Sequence, residues 1–153
     1  MTELRLEFHR HLSALEDELL GMGNDVLAML DTAMAALASG DVDAVDVLAQ
    51  ADDRLDARYR RFQEDVLTVL TLQAPVASEL RLVLALTHCS AHVERMGDLC
   101  ENIGTAAKLV AEAPADRVLS AELAEMGVHA RRVITRSLEA LARRDVEIGR
   151  AHV

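Results

Sequence analysis

From Leu4 to Leu37 the apolar residues fall at steps of three and four, through Phe8, Leu12, Leu15, Leu19, Met22, Val26, Met29, Leu30 and Ala33. That period predicts one amphipathic helix over about 3–38, with Gly21 and Gly23 expected to bend it. Ser39-Gly40-Asp41 then supplies a glycine to end the helix and an aspartate to cap the next. A second helix is expected over 42–72. Pro75 has no backbone N–H and presses Ala74 toward extended geometry, so this helix stops near Leu72 and a third starts with Pro75 in its first turn. No proline interrupts Val76 to Val110, where Val76, Leu80, Val83, Leu84, Val93, Met96, Leu99 and Ile103 mark the stripe of a helix over about 76–112. Ala113-Pro114-Ala115-Asp116 reads as a linker before a fourth helix near 118–143. The first turn is short, which makes helices one and two antiparallel neighbours, and the first three helices are expected to close an antiparallel bundle.

Laid on itself at an offset of 104 residues, the chain matches Glu18-Leu19 with Glu122-Leu123, Met22-Gly23 with Met126-Gly127, Ala36-Leu37-Ala38 with Ala140-Leu141-Ala142, and Asp41-Val42 with Asp145-Val146. Nine identities fall in thirty-two ungapped positions. A second copy of helix one and its turn therefore begins near 118 and breaks off at Val153, as its own second helix starts. Two units are expected: residues 1–113 as a three-helix repeat, and 114–153 as the opening of an incomplete second one. The fourth helix then carries Leu119, Leu123, Met126, Val133, Ile134, Leu138 and Leu141 with no bundle of its own to cover them. A homo-oligomer is expected to supply that cover, unless the helix folds back over its own bundle.

Composition narrows the class. Hydrophobic residues make up 51% of the 153 but aromatics only 2%, so the core is built from Leu, Val, Ala and Met, as helical bundles are. The formal net charge of −10 excludes a nucleic-acid backbone as partner, since that binding needs concentrated Lys and Arg. Cations and basic protein surfaces fit instead. The longest apolar stretch, residues 82–93, is too short and too polar to span a bilayer, and no N-terminal signal pattern is present, so a cytoplasmic protein without membrane insertion is expected. Cys89 and Cys100 lie eleven residues apart on one helix, roughly 16 Å, and cannot bridge. They read as small core residues.

Two acidic pairs stand out. Glu94 and Asp98 are four apart on the third helix with Asn102 one step further, and Asp52 and Asp56 are four apart on the second. Like charges at this spacing destabilise a helix by a few tenths of a kcal/mol. If the two helices pack side by side, the pairs face each other across a groove that a cation would neutralise; a solvated face paired with Arg54, Arg58, Arg60 and Arg61 is the other reading. His88 and His92 have zinc-compatible spacing, but are rotated roughly 100° or more from Glu94. No Glu-x-x-His occurs, which argues against a di-iron carboxylate enzyme, and neither a nucleophile with a base nor a phosphate-binding glycine loop is visible.

Leu70-Thr71-Leu72-Gln73-Ala74-Pro75-Val76-Ala77-Ser78-Glu79-Leu80-Arg81 resembles the L-L-A-L-Q-x-P-V-A-x-D-L-R segment of the PhoU family of phosphate-responsive regulators, and Glu94-Arg95-Met96-Gly97-Asp98 resembles that family's E-R-I-G-D. Asp52 to Asp56 matches the acidic element of its second helix. The likeness covers residues 5–112, with 118–153 as the start of a second repeat. His92 departs from the acidic residue usual before E-R-I-G-D, and the last two helices of the second repeat are missing.

The resemblance implies a three-helix bundle per repeat and a non-enzymatic cytoplasmic regulator. Such a regulator restrains phosphate uptake and phosphate-starvation signalling through contacts with a phosphate ABC transporter ATPase and a sensor histidine kinase. It further implies iron or zinc at the acidic elements. In oxygen-ligand terms Asp52, Asp56, Glu94, Asp98 and Asn102 would supply the ligands, and manganese, magnesium or calcium would also suit. A carboxylate-metal protein and a metal-free helical scaffold are the alternatives. Gln73, Pro75, Glu79 and Arg81 form the structural joint, where Arg81 is expected either to bond the joint's carbonyls or Glu79, or to stand free on the surface.

Overall fold

The computed structural model describes residues 3–111 and 116–145, and four helices account for nearly all of them: α1 (Glu3–Ser39), α2 (Ala44–Gln73), α3 (Ser78–Val110) and α4 (Arg117–Arg143). Residues 112–115, which include Ala113, Pro114 and Ala115 of the expected linker, and the second-copy residues 146–153 lie outside the described residues. No strand occurs among the described residues, and α1, α2 and α3 pack pairwise into an up-down-up bundle. The main core cluster is mostly aliphatic, running from Phe8 to Ala33 on α1 and from Leu48 to Val69 on α2 and closed by α3, and a small alanine cluster of Ala36, Ala44 and Ala107 lies beside it.

α1 passes through Gly21 and Gly23 as an unbroken helix. Both glycines are sites of close approach: a Cβ at Gly21 would strike the Arg58 guanidinium, and one at Gly23 would strike Leu138. On α3 the buried face is Val83, Leu86, Ser90, Val93, Gly97, Cys100, Gly104 and Ala107, so Leu80, Leu84 and Leu99 of the expected stripe are exposed. The seam that meets α2 is Ser90, Gly97 and Gly104 at seven-residue steps: Ser90 hydrogen-bonds Gln63, Gly97 receives Leu55, and Gly104 receives Leu48. Small residues let the antiparallel helices approach closely, and a search for large apolar residues passes over them.

Gly40 ends α1 at φ +71°, as expected, with its N–H donating to the Ala36 carbonyl at 2.8 Å. Asp41 does not cap α2 directly; its Oδ1 accepts from the Asp43 N–H at 3.0 Å, which tightens the turn before the helix starts at Ala44. Pro75 lies between the helices rather than in the first turn of α3. Ala74, expected to be extended, is left-handed at φ 42°, as the C-cap of α2. The joint closes through its backbone, Glu79 N–H to Val76 C=O at 3.1 Å and Arg81 N–H to Ala77 C=O at 3.1 Å. Arg81 is accordingly exposed, and no side-chain bond joins it to Glu79 or the joint carbonyls among the described residues. The Gln73 side chain lies outside the described residues.

α4 folds back antiparallel along α1 and rests on neither α2 nor α3. Asp116 caps its start, Oδ1 accepting from the Val118 N–H at 2.9 Å and the Leu119 N–H at 3.2 Å. Two sets of ion pairs pin it, Arg131 to both carboxylate oxygens of Asp31 and Arg144 to Glu16. Its packing is reciprocal: Leu138 sits on Gly23, and Met34 sits on Gly127. At the 104-residue offset these are the same pair of positions exchanged, so α1 and α4 meet as two copies of one helix about a local two-fold axis. Ile134 and Leu141 pack against the core, whereas Leu119 and Met126 remain 52% and 67% exposed. The expectation of a wholly uncovered helix is thus corrected, because α1 covers one side of it.

Candidate functional site

α2 sets Asp52 and Asp56 toward α3 and Arg54, Arg58 and Arg61 toward α1. The antiparallel pairing of α2 with α3 brings Asp52 beside Gly97, where the missing side chain leaves room: its Oδ1 lies 3.1 Å from where a Cβ would stand. From there Asp52 feels burial first, and then the charges of Glu101, Asp98, Asp56 and Glu94. Together these raise its pKa from 3.8 to about 6. Glu94 is also raised, by burial and then by Asp98 and Asp56. The carboxylates of the two acidic pairs are therefore near enough across the α2–α3 contact to raise one another's pKa. Glu101 was not singled out from the sequence, although it continues the 94, 98 face at the next helical step; Asn102, which was, is exposed.

Arginines answer part of this charge. Asp56 pairs with Arg60 at 3.3 Å and Asp98 with Arg95 at 2.9 Å, each within its own helix. The oxygen donors suit a hard or borderline cation in number and charge. Among the described residues, however, no three His, Cys, Asp or Glu side chains converge as metal ligands do. His88 and His92 are exposed. Cys100 is buried, with burial and then Asp52 raising its thiol pKa to about 11, and Cys89 is half-buried and raised by burial. Both thiols are inert packing groups at neutral pH.

The other edge centres on Arg58. Its Nε donates to Glu18 at 2.8 Å and its Nη1 pairs with Asp25, which ties α2 to α1. The hydrogen bond from Arg58 lowers the Glu18 pKa against the opposing effect of burial. Beside it, Arg54 and Arg61 line a groove between α1 and α2.

A pH test follows from Asp52. An acid whose folded pKa is raised holds its proton longer folded than unfolded, so its contribution to stability falls as pH rises from about 4 to about 6 and stays unfavourable above. Asp52→Asn is expected to stabilise the fold at pH 7.5 by roughly 1–2 kcal/mol after solvent screening, and by little at pH 4. Urea titrations of both proteins at the two pH values check this. An equal difference at both would show that Asp52 titrates normally.

The sequence model of the PhoU domain matches residues 19–107, which fall within α1 to α3. The phosphate-specific transport system accessory protein PhoU homolog of Synechocystis sp. is 29% identical over 95% of this chain and 64% of its own length. The homolog of Pseudomonas aeruginosa is 25% identical over 93% of this chain and 59% of its own. The phosphate-specific transport system accessory protein PhoU of Escherichia coli K12 is 26% identical over 92% of this chain and 58% of its own. The chain spans about six-tenths of the length of these relatives.

Proposed function

The chain belongs to the PhoU family, and on that premise we propose that it is an accessory regulator of phosphate transport. It works in the cytoplasm through protein contacts, on a phosphate transporter's ATPase and on a phosphate-sensing histidine kinase, and restrains uptake and starvation signalling when phosphate is plentiful. The observation that carries this reading is the match of residues 19–107, which takes in the joint at Pro75 and the acidic α2–α3 edge together. The two charged edges of α2 suit docking rather than chemistry. The test is genetic: deletion of the gene from a host with no second family member should raise phosphate uptake and starvation-gene expression in phosphate-rich medium. Unchanged uptake and expression would refute the regulatory role.

The crowded carboxylates favour a second reading, a divalent cation at the α2–α3 edge. No three carboxylates converge there among the described residues, so the cation would have to draw Asp52, Asp56, Glu94, Asp98 and Asn102 together, and it would supply charge neutralisation along that seam. Calorimetric titration with zinc, iron(II) and manganese should then give heats that Asp52→Asn removes. Absence of heat with all three metals would refute this reading and leave the regulatory one standing.

A further inference from the structure

The groove between α1 and α2 is about 410 Å³ and lies on the opposite side of α2 from the acidic edge. Its floor is apolar, formed by Met29, Leu48, Ala51 and Ala57, with Val47 at one end 54% exposed. Three arginines line it against a single carboxylate, Asp25. Arg58 is committed to Glu18 and Asp25. Arg54 and Arg61 are exposed and form no ion pair among the described residues. Glu18 and Asp25 stand against Arg54, Arg58 and Arg61, so this side of α2 keeps a small positive excess in a chain of net charge −10, beside the exposed Val47 and the half-buried Ala51.

Length decides between a small anion and a macromolecule. From Val47 to Arg61 the α2 wall runs roughly 21 Å, and Arg54 and Arg61 stand about 10 Å apart along one face, one pair of helical turns. Such a span is open along one side and far longer than a phosphate or a simple phosphorylated metabolite. It has the length, the apolar floor and the paired rim charges that receive an amphipathic helix laid along two others. We propose that the α1–α2 groove docks an acidic amphipathic helix of a partner protein, with its apolar stripe on Val47 and Ala51 and carboxylates two turns apart on Arg54 and Arg61. This deepens the adaptor reading and rests on it for the partner being a protein.

The probe is a fluorescein-labelled peptide of about 18 residues, long enough to hold a helix, with leucines on one face and glutamates two turns apart on its flank. A matched peptide carrying lysines for the glutamates is the control. Anisotropy with the full chain should show saturable binding of the acidic peptide and none of the basic one. Arg54→Gln with Arg61→Gln, and separately Val47→Asp, should each weaken binding at least tenfold; all three sites are exposed, and unchanged far-UV circular dichroism verifies the fold. No binding by the native chain, binding that survives both variants, or displacement by submillimolar ATP or inorganic phosphate would overturn the proposal. The two readings separate in cells. If deletion derepresses uptake and the Arg54→Gln/Arg61→Gln gene restores control fully, the groove proposal fails and the regulator stands. If deletion has no effect while the peptide binds through the arginines, the regulator fails and the groove stands.

Discussion

Gly97→Val is expected to lower the free energy of unfolding by about 3 kcal/mol and the melting temperature by roughly 6–12 °C. On an exposed helix, replacing glycine by a residue with a Cβ is neutral or favourable, since glycine costs about 1 kcal/mol against alanine. Here the new Cβ meets the Leu55 side chain, which is itself fully buried and has nowhere to move, and stands 3.1 Å from the Asp52 carboxylate. α2 and α3 must part, which uncovers Leu55 and Leu48 together. Gly21→Ala is the control, because its Cβ meets only the end of the long Arg58 side chain and is expected to change stability by under 1 kcal/mol. Thermal and urea unfolding of both variants decide the matter. A Gly97→Val protein as stable as the native one would mean that the seam is not close-packed.

That contrast shows what the sequence reveals and what it conceals. The helices were legible because Leu and Val recur at helical steps on α1 and proline and glycine mark the joints at Pro75 and Gly40. The α2–α3 seam was not, because its contact residues are Ser90, Gly97 and Gly104, which carry no hydrophobic signal. Gly97 stood in the E-R-M-G-D element as a letter of a resemblance; its physical reason appears only once Leu55 and Asp52 are seen against it. The acidic pairs were visible as spacing, and their convergence on Asp52 depended on a register between helices that no local pattern encodes. The basic groove escaped for a related reason. Arg54, Arg58 and Arg61 looked like neutralising partners for Asp52 and Asp56, but they lie on the α1 side of α2, and only Arg60 reaches Asp56. The repeat, by contrast, was readable at the 104-residue offset, and the exchange of Gly23–Leu138 with Met34–Gly127 gives it a structural meaning.

Phe62→Ala is expected to be the most destabilising single change in the core, at about 3–5 kcal/mol. Phe62 is 0% exposed and is the largest of the fully buried side chains. The chain has two phenylalanines and no tryptophan, and apart from Phe8 and Cys100 the rest of the buried hydrophobic core is Leu, Val, Ala and Met. On one side α3 presents Ser90, whose hydroxyl donates to the Thr87 carbonyl at 2.8 Å and accepts from Gln63 at 3.2 Å. A void at Phe62 would loosen the helix pair that holds this buried hydroxyl in its bonds and so add to the loss from the cavity. Phe62→Leu retains most of the volume and is expected to cost no more than about 1.5 kcal/mol. Urea titration should show the midpoint falling steeply for alanine and slightly for leucine, with the slope m unchanged in both. Equal, small losses for the two variants would mean that the bundle relaxes freely around this position, and the close packing inferred for α2 against α1 and α3 would then be wrong.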